Sequence, residues 1–382
     1  MQNRLRTIAL AATLGLMWPR GTRAEDSIAY KYEDYREADG RVAVQTQSTA
    51  LNQDLGTDWH VALTGTIDAI AGATPSGVPA PAGSNQVPLL NTHDRRKAWT
   101  ADLEHSMSIF SVDAGFAYSR ESDYTSLGWS VNTVTQFNQN NTALTVGAAG
   151  TEDLVKSYIP GPPWRHKHSG SALIGLSQVL GPNTIVALDL SWGRSTGFLS
   201  DQYKLVEKDD EIFTGVFLPV THAENRPNEK DKGTVYLRLN QAFPALQAAL
   251  EASYRYYADT YGVDSNTFEV TWLQHLGPQF ILEPNMRFSV QTAAHFYIYN
   301  LNNSTVVPVS APNGNGPYYS SDFRLSALNT TSPGIKLVWK PRSNLQFDIA
   351  YNRYDLHGTD GVTPQSAYSR AKITTAGVKF LW

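Results

Sequence analysis

The amino-acid sequence predicts an all-β fold, a transmembrane antiparallel β-barrel of about 16 strands. Three observations lead to this prediction. Apolar and polar residues alternate along most of the chain, short turns alternate with long loops, and the last strand ends in aromatic residues. Beyond the N-terminal region, no apolar stretch is long enough to cross a bilayer as a helix.

The N-terminal region has the pattern of a secretory signal peptide. Arg4 and Arg6 precede an apolar run from Ile8 to Trp18, which is followed by a small-residue cleavage site. The apolar run is roughly ten residues long, whereas a spanning helix needs about twenty. We therefore predict a cleaved signal peptide over residues 1–24 and an exported β-barrel over residues 25–382.

Alternation with a period of two is clearest at 59–69, which reads WHVALTGTIDA. Trp59, Leu63 and Ile67 share one face of this predicted strand, and Asp68 lies on the other. The pattern fits either a soluble sandwich or a membrane barrel. Several runs reach the roughly nine to eleven residues that a tilted membrane strand needs, and many aromatic residues lie near run ends, which favours the barrel. Similar runs occur at 110–118, 186–192, 235–240, 250–257, 267–272 and 285–291.

The connections between predicted strands are alternately short and long, as in bacterial barrels. Counting strands between them gives about 16 and places both chain ends on the periplasmic side. The number of strands is uncertain in two regions: 27–51 is weakly patterned, and 323–340 fits one long strand or two. Separately, the segment 243–251 also suggests a helix. Short turns are predicted at 138–141, 180–183, 276–279 and 340–344, and long loops at 72–94, 154–168, 197–231, 300–317 and 356–367.

The last residues, KITTAGVKFLW, place Val378, Phe380 and Trp382 on one face of a final strand. This ending resembles the signal by which outer-membrane barrels are recognised for assembly, although an edge strand of a soluble sheet would read similarly. We expect a barrel in a Gram-negative type of outer membrane. Its expected partners are outer-membrane lipid and lipopolysaccharide, and the barrel-assembly machinery through Phe380 and Trp382.

Composition excludes several other classes. The chain has no cysteine, so it has neither disulfides nor Cys-based zinc or thiol chemistry. Its net charge of −4 gives no basic bias towards nucleic acid.

Catalysis is not predicted, because no G-x-S-x-G, H-E-x-x-H or Gly-rich phosphate loop is present. His60, His275 and His105, the last beside Ser106, are the strand histidines available to a hydrolase, and a structural role is preferred for each. No cofactor is expected. His166 and His168 form a weak candidate for a metal at a predicted loop tip, and the interpretation adopted is that the chain binds no metal.

Six short stretches occur along the chain in a fixed order: DAIAGATPSG (68–77), GFLSDQYKLVE (197–207), ENRPNEK (224–230), YGVDSNTFEVTW (261–272), PNMRFSVQTAAHFY (284–297) and YYSSDFRLSAL (318–328). Together they resemble DUF3570, an uncharacterised family of bacterial outer-membrane proteins. The resemblance implies an outer-membrane barrel, often encoded beside thioredoxin-like and flavin-transferase-like genes, and it implies no established activity. The chain departs from the expected family pattern at Tyr261, Phe288, Ser289 and His295.

The polar faces of the predicted strands would line the lumen and carry charges of both signs. Arg255, Glu269 and Arg287, on consecutive predicted strands, are the best candidates for a constriction or a ligand-contacting patch. The alternative is that most lumen charges form pairs that hold strand register. The pore-lining candidates are Asp68, Arg238, Glu251, Arg255, Glu269, Arg287 and Arg324.

These features favour a porin-like channel for small solutes. The alternatives are a structural or accessory barrel, blocked by loops such as 197–231, that holds a periplasmic or surface partner, and, last, an outer-membrane enzyme. Asp68 is expected to be the last lumen-facing charge of its strand, and AGATPSG (71–77) the point where that strand ends, with Gly72, Pro75 and Gly77 suited to bending the chain.

Overall fold

The computed structural model describes residues 26–157, 162–302 and 304–382, so the signal peptide predicted at 1–24 lies outside the described residues. The described residues form eighteen strands and three short 3₁₀ helices, Pro244–Leu246, Phe323–Leu325 and Gln365–Ala367. The strands are β1 (Ser27–Glu37), β2 (Ala43–Leu55), β3 (Trp59–Pro75), β4 (Leu89–Ser106), β5 (Phe110–Arg120), β6 (Tyr124–Phe137), β7 (Thr142–Lys156), β8 (Trp164–Gly181), β9 (Thr184–Gly197), β10 (Leu205–Phe213), β11 (Val216–Ala223), β12 (Glu229–Phe243), β13 (Ala248–Asp259), β14 (Asp264–His275), β15 (Phe280–Gln291), β16 (Leu328–Arg342), β17 (Leu345–Gly358) and β18 (Arg370–Leu381).

Sixteen of these strands close into one antiparallel barrel, which confirms the predicted fold. The ring closes where β1 pairs with β18, from Ser27 opposite Leu381 to Glu37 opposite Ala371. β10 and β11 form a separate hairpin between β9 and β12. Because every barrel strand has two neighbours, the ring has no free edge.

The two uncertain regions of the strand count are now defined. The weakly patterned segment 27–51 forms β1 and most of β2. The segment 323–340 begins with the 3₁₀ turn Phe323–Leu325, and from Leu328 onwards it belongs to the single strand β16. The segment 243–251 forms no α-helix, because one 3₁₀ turn at Pro244–Leu246 joins β12 to β13. No helix among the described residues is long and apolar enough to cross a membrane.

The faces of the barrel follow the alternation in the sequence. On β3, Trp59, Leu63 and Ile67 project outwards and are exposed, whereas Asp68 points inwards and is buried. The same outward apolar face continues around the ring, for example at Phe268 on β14. An apolar exterior around a polar interior is the arrangement of a barrel whose outside contacts lipid.

Short turns and both ends of the described chain lie at one end of the barrel, as predicted, and the long loops lie at the other. The strands extend further into the loop end than expected. β3 continues to Pro75 and β4 begins at Leu89, so the loop predicted at 72–94 is partly strand. Likewise β7 ends at Lys156 and β8 begins at Trp164.

β3 ends at Pro75, within AGATPSG as predicted, and Gly72 lies inside the strand. Gly72 still pairs with Thr92 of β4, and it has φ of +118°. A β-carbon at this position would collide with the carbonyl of Arg41, so the close approach of the β1–β2 connection requires glycine.

The buried apolar residues lie mainly at the loop end of the molecule. Two long loops, 198–228 and 292–327, contribute to three of the buried clusters, and we call these two loops together the cap. Val206, Leu301 and Tyr319 form one cluster wholly within the cap. Phe323 packs with Leu356 and Tyr368 of the wall and its neighbouring loop. The cap therefore has a packed core of its own.

Candidate functional site

Loop 198–228 crosses the mouth of the barrel. It leaves the ring at β9, yet it is hydrogen-bonded to the end of β3, six strands away in the ring of sixteen. The Leu205 N–H donates to the Ser76 carbonyl at 2.8 Å. Lys204 Nζ donates to Thr74 Oγ1 at 3.2 Å and to the carbonyl of Pro75. The loop therefore spans the opening between two parts of the wall that lie six strands apart.

Loop 292–327 completes the cap. Ser321 Oγ donates to the Leu205 carbonyl at 2.6 Å, which joins the two loops. On its other side, Ser326 Oγ lies 2.7 Å from Tyr368 Oη, in the connection between β17 and β18. Thus the cap is held to the wall on several sides of the mouth.

Charged side chains are buried where the two cap loops meet. Arg226 Nε lies 2.6 Å from Glu224 Oε1, and Arg226 Nη2 donates to Asp322 Oδ2 at 2.7 Å. Arg324 also donates to Asp322 and reaches Asp201, so the arginines connect both loops. We call this group the cap cluster; its members are Asp201, Lys204, Glu224, Arg226, Asp322 and Arg324.

Local structure places these side chains. Asp322 precedes the 3₁₀ turn Phe323–Leu325 and accepts the backbone N–H of Arg324 at 3.1 Å, so it caps the turn that carries Arg324. Ser320 Oγ donates to Glu224, and the backbone N–H of Asp201 donates to the same carboxylate. The buried carboxylates of Glu224 and Asp322 are therefore hydrogen-bonded as well as paired with arginine, as burial in low dielectric requires.

Burial and pairing shift the pKa values of the cap cluster in different directions. Burial alone would raise the pKa of Asp322, but Arg324 and then Arg226 hold it well below its usual value. The pKa of Asp201 is lowered in the same way, chiefly by Arg324 against the effect of burial. For Glu224, burial outweighs Arg226 and raises the pKa. For Lys204, burial lowers the pKa. Asp322 and the arginines are thus charged across ordinary pH.

The lumen wall brings together most of the charges proposed to line the pore. Arg238, Ser253, Glu269 and Arg287 are successive register partners on β12 to β15, so they form one row around the wall. Arg255 lies next to this row, and its guanidinium carbon is 5.1 Å from the Tyr236 ring centre. The expected proximity of Arg255, Glu269 and Arg287 is therefore present in the strand register.

The side chains of Arg255, Glu269 and Arg287 are exposed although they point inwards. Glu269, for example, lies between Phe268 and Val270, which face outwards. Their exposure means that the lumen beside this row is wide enough to admit water.

Other predicted lumen residues have different surroundings. Glu251 is half-buried on β13, opposite Asn240 and Thr271. Asp68 points inwards but is fully buried, and it pairs with Arg96 of β4. The lumen therefore also contains ion pairs between neighbouring strands, of the kind that holds strand register.

Two more such pairs lie on the lumen wall. Arg238 Nη2 donates to Asp189 at 3.1 Å, and Lys336 Nζ donates to Glu283 at 3.1 Å. Each pair joins neighbouring strands.

Two expected placements are wrong. Arg324 does not lie on a strand facing the lumen, because Phe323–Leu325 forms a 3₁₀ turn within the cap. His166 and His168 do not lie at a loop tip, because they belong to strand β8. Two residues apart on a strand, they share one face, and their rings lie 6.1 Å apart.

Two of the strand histidines considered for catalysis, His60 and His105, have structural contacts. His60 Nδ1 lies 2.7 Å from Asp54, and the His105 ring stacks on Trp59 at 4.2 Å. Within the described ranges, the carboxylates arranged closely enough to hold a metal ion are Asp94, Glu121 and Asp123, with one oxygen from each within 4.8 Å of the others. Asp123 also accepts from Gln202 and Tyr203, so this group contacts the cap.

A cavity of about 180 Å³ opens between the cap and the wall. Phe198, Leu199 and Arg226 line it from loop 198–228, and Asn313 lines it from loop 292–327. Arg165 of β8 forms part of the wall and donates to the Pro312 carbonyl at 3.4 Å. The cavity is a small recess between cap and wall, lined by polar and apolar groups alike.

Sequence reasoning missed the cap cluster, although a signal for it was present. The stretches at 197–207, 224–230 and 318–328 contain all six of its members. The stretch at 68–77 ends in Gly77, where a β-carbon would collide with the Leu205 carbonyl and Ser321 Oγ. The other two family-like stretches also reach the cap, because Ala294 lies within it and Tyr261 donates to the Pro227 carbonyl at 2.8 Å. All six stretches therefore meet at the cap, far apart in sequence but adjacent in the fold.

A closed sixteen-strand ring with an apolar exterior and a charged, solvated interior defines a β-barrel of the outer-membrane type. The model of the family described as protein of unknown function (DUF3570) matches residues 10–164 and 162–367. The chain belongs to this family, as the resemblance indicated. A comparison with the curated proteins finds no match.

Solved structures similar to this chain are also barrels. CdiB from Acinetobacter baumannii aligns with a TM-score of 0.51 at 7% identity, over 94% of this chain and 60% of that one. A bacterial polysaccharide outer membrane secretin aligns with a TM-score of 0.48 at 10% identity, over 94% and 99% of the two chains. The ferric enterobactin receptor PfeA of Pseudomonas aeruginosa aligns with a TM-score of 0.44 at 12% identity, over 88% of this chain and 55% of that one. This chain therefore spans about half of that receptor's length.

Proposed function

We propose that the protein is an outer-membrane channel for small polar solutes, with an outer mouth covered by the cap. The supporting observation is the exposure of Arg255, Glu269 and Arg287 on the inner face of the wall. Charged side chains that remain hydrated inside a barrel leave an aqueous path beside them, and charges of both signs along that path favour small hydrated solutes.

The cap makes the proposed channel a restricted one. Loop 198–228 crosses the mouth and is pinned to β3, so a solute passes beside the cap or when the cap moves. The cap cluster holds the two loops together through buried ion pairs. Opening the cap therefore requires separating or hydrating these charges, which is energetically costly.

Planar-bilayer recording of the purified full-length protein tests this function. We expect discrete conductance steps from the wild type, and larger or longer-lived steps from Arg226→Ala, because that change breaks the pairs with Glu224 and Asp322. Arg194→Ala is the matched control, since Arg194 forms an exposed pair with Glu229 at 2.6 Å outside the cap cluster. Silence from the wild type and from Arg226→Ala, with both barrels folded, would reject the channel.

The outer-membrane location and the assembly route form part of the proposal. Phe380 and Trp382 lie at the chain end of the final strand, with rings 6.1 Å apart, and both are exposed. This arrangement supports recognition by the barrel-assembly machinery. Trp382→Ala should lower the fraction of heat-modifiable barrel in outer-membrane preparations, and an unchanged fraction would argue against this route.

A second candidate role, an accessory barrel that holds a partner, is favoured by the β10–β11 hairpin. Phe213 at its tip is 72% exposed and Phe217 is 60% exposed, so apolar side chains extend into solvent. Cross-linking in intact cells should then link the wild type reproducibly to one partner protein. The double variant Phe213→Ser/Phe217→Ser should lose that partner. Recovery with both proteins would exclude the hairpin as the partner site. Neither role includes a catalytic step.

A further inference from the structure

Three cations are grouped on the outward face of the barrel near the loop end. Lys97 of β4 and Arg120 of β5 are direct register partners. Arg95 lies two residues from Lys97 on the same face of β4, because side chains on a strand alternate. All three are exposed. We call Arg95, Lys97 and Arg120 the basic patch.

The acidic residues nearby in sequence face the other way. Asp94, Glu121 and Asp123 point to the inside of the ring, where Glu121 and Asp123 are buried. Among the described residues no ion pair neutralises Arg95, Lys97 or Arg120. At this part of the wall the charges are therefore separated by face, with the acidic side chains inside and the basic side chains of β4 and β5 outside.

The surface beneath the basic patch is apolar. Trp99 and Tyr118 are register partners directly below Lys97 and Arg120, with ring centres 6.4 Å apart. Phe116 and Leu103 continue this exposed surface towards the turn end. An aromatic pair above an apolar band is typical of the level where acyl chains meet headgroups.

We propose that the basic patch binds the phosphate groups of an anionic lipid in the leaflet at the loop end. The two guanidinium groups match phosphate oxygens through paired hydrogen bonds, and Lys97 adds a third charge between them. The acyl chains of the same lipid then lie along Trp99, Phe116 and Leu103. This binding depends on the proposed membrane location but requires no solute transport.

A second row of cations provides a matched control. Arg36, Lys372 and Arg353 are register partners on β1, β18 and β17, and they also face outwards. Arg36 pairs with Asp34 and Arg353 with Asp355, each at 2.7 Å, so carboxylates already neutralise two of them. Replacing this row changes the charge as much as replacing the basic patch does.

Native mass spectrometry of the full-length protein in detergent, with EDTA present, tests the site. The probes are lipid A carrying two phosphates and the same lipid A after dephosphorylation. We expect the wild type to retain the phosphorylated lipid preferentially. In Arg95→Ser/Lys97→Ser/Arg120→Ser this binding should fall roughly 10- to 100-fold, since each basic side chain near an anionic lipid contributes several-fold to affinity.

The control variant Arg36→Ser/Lys372→Ser/Arg353→Ser should keep most of the binding. The charge-conserving Arg95→Lys/Arg120→Lys should bind between the wild type and the triple variant of the basic patch, because it keeps the charges but loses the paired hydrogen bonds of the guanidinium groups. Folding of each variant is checked by heat modifiability. Equal retention of both lipids, or equal loss in both triple variants, would overturn the site. Displacement of lipid A by millimolar inorganic phosphate would identify a free-phosphate site instead and would also overturn the proposal. Conductance is read separately, so loss of lipid binding with normal conductance, or the converse, distinguishes this inference from the channel.

Discussion

The cap cluster and the lumen row contain the same chemical groups in opposite surroundings. In the cap, Arg226 and Asp322 are almost fully buried and hydrogen-bonded to each other. On the wall, Arg287 and Glu269 face each other across neighbouring strands and remain exposed. Buried charges are costly to separate, whereas hydrated ones contribute little to stability and act through their field. The first set therefore stabilises a conformation, and the second set acts on the solution inside the barrel.

Arg226→Ala should have the largest effect. It leaves Glu224 and Asp322 buried without their shared partner, and breaking a buried pair costs about 3–5 kcal/mol. The free energy of cap opening, measured by hydrogen exchange of the amides in 198–228, should fall by that amount. The amides of the barrel strands should keep their protection. Arg194→Ala should cost about 0–1 kcal/mol at most, because its pair is exposed. Equal exchange in the two variants would mean that the cap cluster does not hold the cap.

Gly77→Ala should loosen the cap next most strongly. Its φ is +94°, and an added β-carbon would collide with the Leu205 carbonyl and Ser321 Oγ. We expect a loss of roughly 1–3 kcal/mol in cap stability from strain and displacement together. Gly83 in the same loop has φ of +80° but open space around it, so Gly83→Ala carries only the backbone cost. Trypsin cleavage within the cap would then be faster in Gly77→Ala than in Gly83→Ala, and equal rates would contradict the close contact.

Acid should weaken the cap through Asp322 and Asp201. Their pKa values are held below the ordinary 3.8, so their charged forms stabilise the cap above that pH, and this stabilisation is lost as pH falls further. The raised pKa of Glu224 acts in the opposite direction, because protonation relieves a buried charge. Hydrogen exchange from pH 7 downwards should show cap opening increasing only below about pH 4. A barrel with Asp322→Asn should show a weaker acid dependence, and an identical profile would exclude Asp322 as its source.

Arg287→Glu should have the smallest effect on stability and a clear effect on ions. The side chain is hydrated, so the change in stability should be within about 0.5 kcal/mol. Reversing one charge in the row with Glu269 should shift the reversal potential towards cation selectivity under a salt gradient. The matched control is Arg353→Glu, on the outer face. Equal shifts in both variants would show that the lumen row does not face the path of the ions.

The period of two in the sequence predicted the two faces of the strands, and the lengths of the runs and the alternation of short turns with long loops then favoured a barrel over a sandwich. The alternation around Glu269 and Arg287 assigns each side chain to the lumen without knowledge of the neighbours. Prediction failed where the backbone leaves that period. Arg324 appeared to belong to a strand because DFRLSAL alternates, but Asp322 caps a 3₁₀ turn there.

The cap cluster could not be derived from local pattern at all. Asp201 and Arg324 are brought together by loops from different parts of the ring, and no periodicity describes such a contact. Similarly, Gly72 looked like a strand end because glycine is common there, whereas its role depends on the Arg41 carbonyl of a neighbouring connection. Positions whose meaning depends on distant backbone are those that a single sequence predicts least well.

The hydrogen bonds between loop 198–228 and β3 link two distant points of the barrel rim. A ring of strands deforms most easily by becoming oval, and a link between points six strands apart opposes that deformation. The two rims therefore differ in compliance. At the loop end, the cap holds β9 and β3 at a set separation, whereas the turns at the other end join only adjacent strands. Lateral pressure from the bilayer is thus resisted at the loop end by the cap as well as by the sheet, and at the turn end by the sheet alone.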